Sequence, residues 1–117
     1  MTQVAIFEDE PLIAFALKNM LIDAGFKVVG VAGNLEKALA LISSNVFDVA
    51  LIDANLAGVS ASPAASALTA RGIPFLVLTG YSREQLPSEF AGAHFMRKPY
   101  KSAELIRALR NFGPAPD

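Results

Sequence analysis

Three unbroken apolar runs, Val4-Ala5-Ile6-Phe7, Val49-Ala50-Leu51-Ile52 and Phe75-Leu76-Val77-Leu78, constrain the fold more than any other feature of the chain. A strand with one wet face alternates apolar and polar residues. A run that stays apolar is covered on both faces, as in a parallel sheet packed between helices. Residues 28–32 and 94–97 are more mixed and suit the two edges. Helical patterns separate the five runs, so the chain reads as repeated βαβ units around one sheet.

In the first of these patterns Ile13, Ala16, Leu17, Met20, Leu21 and Ala24 recur at helical spacing, Pro11 stands where a first-turn proline is tolerated, and Gly25 can close the helix. Asn34 is placed to cap a second helix carrying Leu35, Ala38, Leu39 and Ile42. Ser62-Pro63 opens a third that ends near Arg71-Gly72, and Ser102 starts a last one with Leu105, Ile106, Leu109 and Phe112. Residues 82–92 are the least regular, and with Pro87 in their middle any fourth helix there should be short or irregular. The expected architecture is α/β: a flavodoxin-like, doubly wound five-stranded parallel sheet in the order 2-1-3-4-5 with helices on both faces. It occupies residues 1–112, followed by a linker-like tail at 113–117.

Bulk properties narrow the function. With 53% hydrophobic and 18% charged residues, 117 residues suffice for one well-buried core and not for a disordered segment. The formal net charge is -1, and no cluster of Lys or Arg offers the footprint of a nucleic-acid binder. There is no cysteine, hence no disulfide and no thiolate metal site. Acidic residues directly after the first apolar run argue against a signal peptide, and no apolar stretch approaches the roughly 20 residues that span a bilayer. The expectation is a cytoplasmic protein whose partners are proteins and small ions, with no direct contact to nucleic acid or membrane.

The polar residues that interrupt the apolar pattern fall at the carboxyl ends of the expected strands: Glu8 and Asp9 after the first, Asp53 after the third, Thr79 after the fourth and Lys98 after the fifth. Ligands of doubly wound sheets bind outside those ends, where the strand order reverses, here between strands one and three. Neighbouring strands lie about 4.8 Å apart, so Glu8, Asp9 and Asp53 share one shallow pocket. Three crowded carboxylates repel, and raised pKa values or a bound cation relieve them. All-oxygen donors favour a hard cation such as Mg²⁺ or Mn²⁺. Lys98 starts roughly 10 Å from Asp53, two strand spacings away, and its long side chain can reach back. A carboxylate nucleophile, a metal, an ammonium and a hydroxyl are the parts of phosphoryl transfer to Asp53.

Four segments, Phe7-Glu8-Asp9-Glu10-Pro11, Leu51-Ile52-Asp53-Ala54-Asn55-Leu56, Val77-Leu78-Thr79-Gly80-Tyr81 and Arg97-Lys98-Pro99-Tyr100, together resemble the receiver domains of bacterial two-component response regulators. The resemblance spans nearly the whole chain. It implies that Asp53 is the phosphoacceptor, and that Asp9, Asp53 and the backbone carbonyl of Asn55 hold the metal. Glu8 would act mainly through metal-bound water, and Thr79 and Lys98 would hold phosphate oxygens. It implies a cis Lys98–Pro99 bond, a switch built from Thr79 with Tyr81 or Phe95, a histidine kinase or histidine phosphotransfer protein as donor, and a downstream protein partner. It also implies no turnover of a separate substrate. Glu8 departs from the more frequent aspartate, lengthening the reach to the metal. The Thr79-Gly80-Tyr81 signature is similar to that of a subgroup of stand-alone receivers.

Each residue has a plainer reading. An isolated Asp at a strand end is most often merely polar, and it is the coincidence of four sites that singles out Asp53. Glu10 is assigned to the dipole of the following helix, and His94 to surface packing. Two other classes compete. A small Mg²⁺-dependent phosphohydrolase with an aspartyl nucleophile would carry an Asp-x-Asp pattern after strand one, where this chain has Glu8-Asp9-Glu10. A pseudo-receiver would keep the fold as a binding module without phosphorylation.

Overall fold

A computed structural model describes residues 1–44, 46–91 and 93–112; the tail expected at 113–117 lies outside the described residues. The main sheet consists of β1 (Gln3–Phe7), β2 (Lys27–Ala32), β3 (Val49–Asp53), β4 (Phe75–Thr79) and β5 (His94–Arg97). All four pairings are parallel and the order is β2-β1-β3-β4-β5, as the apolar runs require. Successive residues of each central strand serve opposite layers. Ala5, Phe7, Ala50, Ile52, Phe75 and Val77 pack under α2 (Leu35–Ser44) and α3 (Ser62–Ala70). Val4, Ile6, Val49, Leu51, Leu76 and Leu78 pack under α1 (Pro11–Asp23) and α4 (Ser102–Arg110). Two buried faces are the physical reason these strands show no polar alternation.

Helix ends follow the local chemistry. Asn34 Oδ1 accepts the Lys37 N–H at 2.8 Å, capping α2. Gly25 and Gly72 adopt φ of 95° and 69°. These left-handed turns let the Phe26 N–H reach the Leu21 carbonyl and the Ile73 N–H reach that of Leu68, closing α1 and α3. Residues 82–91 contain two single 3-10 turns, Arg83–Gln85 and Ser88–Phe90, where a short or irregular fourth helix was expected. Pro87, lacking an N–H, separates them.

Two features depart from the sequence expectation. The face α1 buries is Ala14, Leu17 and Leu21. Met20 and Ala24 are only partly buried against that layer, and Ile13 and Ala16 line a groove of about 410 Å³ that α1 shares with Tyr100 and Ser102. Leu12 and Phe15 point outward, 84% and 64% exposed. Apolar residues at nearly every position of α1 give its periodicity two readings, and the sheet selects one. The second departure lies after β3, where Asn55–Leu56 pairs with Val59–Ser60 in a small antiparallel ladder. Its two-residue turn has Ala57 at φ 52° and Gly58 at φ 80°, the conformation of a I′ hairpin. Ala57 is not a residue that announces such a turn.

Candidate functional site

The site forms where β1 and β3 end side by side. Phe7 pairs with Ile52 in register, so Glu8 and Asp53 leave the sheet next to one another. Glu8 is buried, 3% exposed. Its main-chain N–H donates to the Ala32 carbonyl at 3.0 Å, holding it against β2. Its Oε2 accepts the Glu10 N–H at 3.0 Å, and its Oε1 has no hydrogen-bond partner among the described residues. Burial pushes the Glu8 carboxyl up from 4.5 to about 7; the Glu10 N–H and the Lys98 charge oppose this, while the Asp53 charge adds to it.

Asp9 and Asp53 are half-buried, and one carboxylate oxygen from each of Glu8, Asp9 and Asp53 lies within 4.8 Å of the others. Oxygen-only donors, a concentration of negative charge and an orphaned buried oxygen all fit a hard divalent cation. Asp53 Oδ1 accepts the Asn55 N–H at 3.2 Å, an Asx turn that starts the small ladder.

Lys98 spans the gap from the far side. Its main-chain N–H donates to the Thr79 carbonyl at 2.8 Å, continuing the β4–β5 register, and its Nζ meets Asp53 Oδ2 at 2.8 Å. Burial works against the ammonium, but the hydrogen bond and charge of Asp53, helped by Glu8, outweigh it and raise the Lys98 pKa above that of an ordinary lysine. The Lys98–Pro99 bond is cis. Thr79 is buried at the end of β4, its Oγ1 accepting the Tyr81 N–H at 2.9 Å.

The structure therefore clusters Glu8, Asp9 and Asp53 and brings Lys98 onto Asp53, with Thr79 at the end of the strand between β3 and β5. Tyr81 is half exposed on the loop two residues further on. Phe95 packs against the layer beneath α2 and α3, paired with Val77 in register. His94 is remote, stacked edge-on against Phe112 with ring centroids 4.7 Å apart. Sequence reasoning missed a shallow cavity of about 190 Å³ between the segment after β3 and the loop after β4, with Ala54, Asn55, Ser60, Tyr81, Gln85 and Leu86 among its lining residues. Gln85 Oε1 accepts from the Ser82 N–H and hydroxyl, fixing the first 3-10 turn. No periodic signal marks such residues, because two irregular loops bring them together.

The family model described as Response regulator receiver domain matches residues 4–110. Among curated proteins the chain is 33% identical over 111 residues to Transcriptional regulatory protein PdtaR of Mycobacterium tuberculosis, covering 92% of this chain and 54% of that one. The chain thus spans about half the length of the curated relatives it matches. Among solved structures it is similar to SdrG from Sphingomonas melonis Fr1, at 36% identity, TM-score 0.79 and 96% coverage of both chains. The BeF3-activated conformation of SdrG from Pseudomonas melonis Fr1 gives 38% identity, TM-score 0.75 and 92% coverage of both. The receiver domain of sensor histidine kinase PA1611 from Pseudomonas aeruginosa, with a magnesium ion coordinated in its active site cleft, shares the fold at 23% identity, TM-score 0.81 and coverage of 95% and 96%. With the family match over residues 4–110 and relatives above 30% identity along nearly its full length, this chain belongs to the response regulator receiver domain family.

Proposed function

We propose that this domain takes a phosphoryl group on Asp53 from a histidine kinase or histidine phosphotransfer protein, with Mg²⁺ or Mn²⁺ as cofactor, and passes the signal on by binding a downstream protein. The observation that carries this reading is the Asp53 carboxylate itself, which touches the Lys98 ammonium at 2.8 Å and shares a 4.8 Å cluster with Glu8 and Asp9.

Glu8, Asp9, Asp53 and the Asn55 carbonyl would hold the cation, which supplies charge neutralisation for the transferring oxygens. A carboxylate oxygen of Asp53 attacks phosphorus, the P–N bond of the donor phosphohistidine breaks, and the imidazole leaves with its electron pair and takes a proton. Lys98 orients the Asp53 carboxylate before transfer and turns to a phosphoryl oxygen afterwards. The Thr79 hydroxyl gives up its bond from the Tyr81 N–H to donate to another. That exchange moves the loop carrying Tyr81, and Phe95 on the neighbouring strand follows. The family carries no catalytic activity on other substrates, so the output is a change of binding surface. We place the domain at residues 1–112 and, on the chemistry of its donor, in the cytoplasm; among the described residues no helix is long and apolar enough to cross a membrane.

Phosphorylation by a small phosphodonor in Mg²⁺, followed by mass spectrometry, tests the assignment. The wild type should gain one acid-stable, base-labile phosphoryl group on the peptide containing Asp53, and Asp53→Asn, nearly isosteric, should gain none while keeping its fold. Equal labelling of the two proteins would overturn it.

A further inference from the structure

Helix α1 is apolar on two sides. Ala14, Leu17 and Leu21 are buried against the sheet. Nearly opposite them, Leu12, Phe15 and Ile22 stand 84%, 64% and 48% exposed. Together with Asn19, which is exposed as well, they form a stripe with steps of three, four and three residues. That is the spacing of the a and d positions of a two-stranded coiled coil. Leu12 and Asn19 then occupy a, Phe15 and Ile22 occupy d, and the flanks carry Lys18 at g and Asp23 at e. Both charged residues are exposed, and neither is in an ion pair among the described residues.

Large apolar side chains gathered on one exposed helix face mark an interaction surface. The polar residues of the stripe indicate what covers it. In a parallel helix pair the g residue of one helix faces the e residue five positions further on in the other, and Lys18 and Asp23 are five apart. A single sequence thus supplies both halves of two equivalent opposite-charge contacts, the self-complementarity that a two-fold interface demands. In an antiparallel pair g faces g and e faces e, which gives these charges no opposite partner. Asn19 points the same way, because an asparagine at an a position meets its own counterpart across a two-stranded seam and fixes the register.

We propose that two copies of this chain pair through parallel α1 helices, with Leu12, Phe15, Asn19 and Ile22 each meeting its counterpart and Lys18 of each copy facing Asp23 of the other. The helix has 13 residues, a length of about 20 Å. Its one face is a smaller interface than the ~1,200 Å² of stable complexes, so the dimer forms only at concentrations well above those of a folding measurement. The pairing makes no use of the acidic cluster and requires no phosphoryl group.

The chain has no cysteine, so single introduced cysteines report which residues are neighbours. Leu12→Cys and Ile22→Cys, made separately, mark the two ends of the stripe. In the parallel pair each lies beside its counterpart, within the roughly 4.4–6.8 Å between Cα atoms that a disulfide spans. In an antiparallel pair centred on the stripe the same positions are about 15 Å apart. Oxidation in a glutathione buffer should cross-link both variants at least ~10-fold faster than Lys37→Cys, at an exposed position on α2. Sedimentation equilibrium of the wild type from about 10 µM to about 1 mM, the range a small interface requires, should show the average mass climbing from one chain towards two. Lys18→Asp should weaken the dimer roughly fivefold, the effect of two exposed ion pairs, and Lys18→Asp combined with Asp23→Lys should restore it. Circular dichroism checks that every variant is folded. A wild type that stays monomeric throughout, with cross-linking no faster than in Lys37→Cys, overturns the proposal and gives this face to a different protein. A dimer in which neither end cross-links overturns the parallel pairing, and a charge reversal without effect overturns the register.

Discussion

Lys98 and Glu8 flank Asp53 with very different access to water, a difference that residue type alone does not reveal. Lys98 brings its charge across two strand spacings to 2.8 Å from Asp53 Oδ2, yet its side chain remains 38% exposed, so the pair is worth at most about 1 kcal/mol to folding. Glu8 is closed off from water, and its carboxyl is pushed up to about 7 from 4.5. Protonation therefore favours the metal-free fold: this contribution is full below about 4.5 and is lost as pH rises through about 7. Urea denaturation in chelator should show stability falling by up to about 3 kcal/mol across that window, and Glu8→Gln should flatten the slope. A profile identical in the two proteins would contradict the assignment. Relief of carboxylate repulsion should likewise raise the melting temperature of metal-free Asp9→Ala. Asp53→Ala should gain less, because it also gives up the Lys98 pair; calorimetric scans of both variants in chelator check the order.

At the scale of elements, α1 tests how the sheet chooses among competing helix faces. Leu17 and Leu21 face the sheet with Leu105 and Leu109 of α4. Leu109→Ala should cost about 2–5 kcal/mol, whereas Phe15→Ala, on the outward face, should stay within about 0.5 kcal/mol. Equilibrium denaturation distinguishes the two, and a Phe15→Ala cost comparable to that of Leu109→Ala would mean that α1 is rotated. Residues 82–92 form the other informative element. Two isolated 3-10 turns offer few internal hydrogen bonds, so local opening there is easy. Beryllofluoride, by drawing Thr79 and Lys98 inwards, should change amide exchange between these two residues more than in α2 or α3. Unchanged protection over the 79–98 interval, with the downstream protein binding both forms equally, would defeat the switch.

For the whole molecule, a cation that binds only the folded chain must stabilise it by mass action, by about 2.7 kcal/mol at a hundredfold excess over its dissociation constant. The melting temperature should accordingly climb with Mg²⁺ concentration in the wild type and much less in Asp9→Ala; parallel curves would remove Asp9 from the metal site. The sheet that builds this site was readable in advance, since burial on both faces forces the apolar runs of β1, β3 and β4, and the bounds of β5 coincide with residues 94–97. Asp53, Asp9, Thr79 and Lys98 were readable too, because strand order brings polar residues at strand ends to one edge whatever the helices do. Other features awaited the tertiary structure. The buried face of α1 was undetermined because nearly every residue of that helix is apolar. The ladder at Asn55–Leu56 was hidden because Ala57 gives no turn signal. The seclusion of Glu8 Oε1 was invisible because burial belongs to the packing of β1 against its neighbours and not to any one residue. Residue type and order thus determined which groups this protein brings to the edge of its sheet, and long-range packing alone decided how dry, how close and how constrained those groups are.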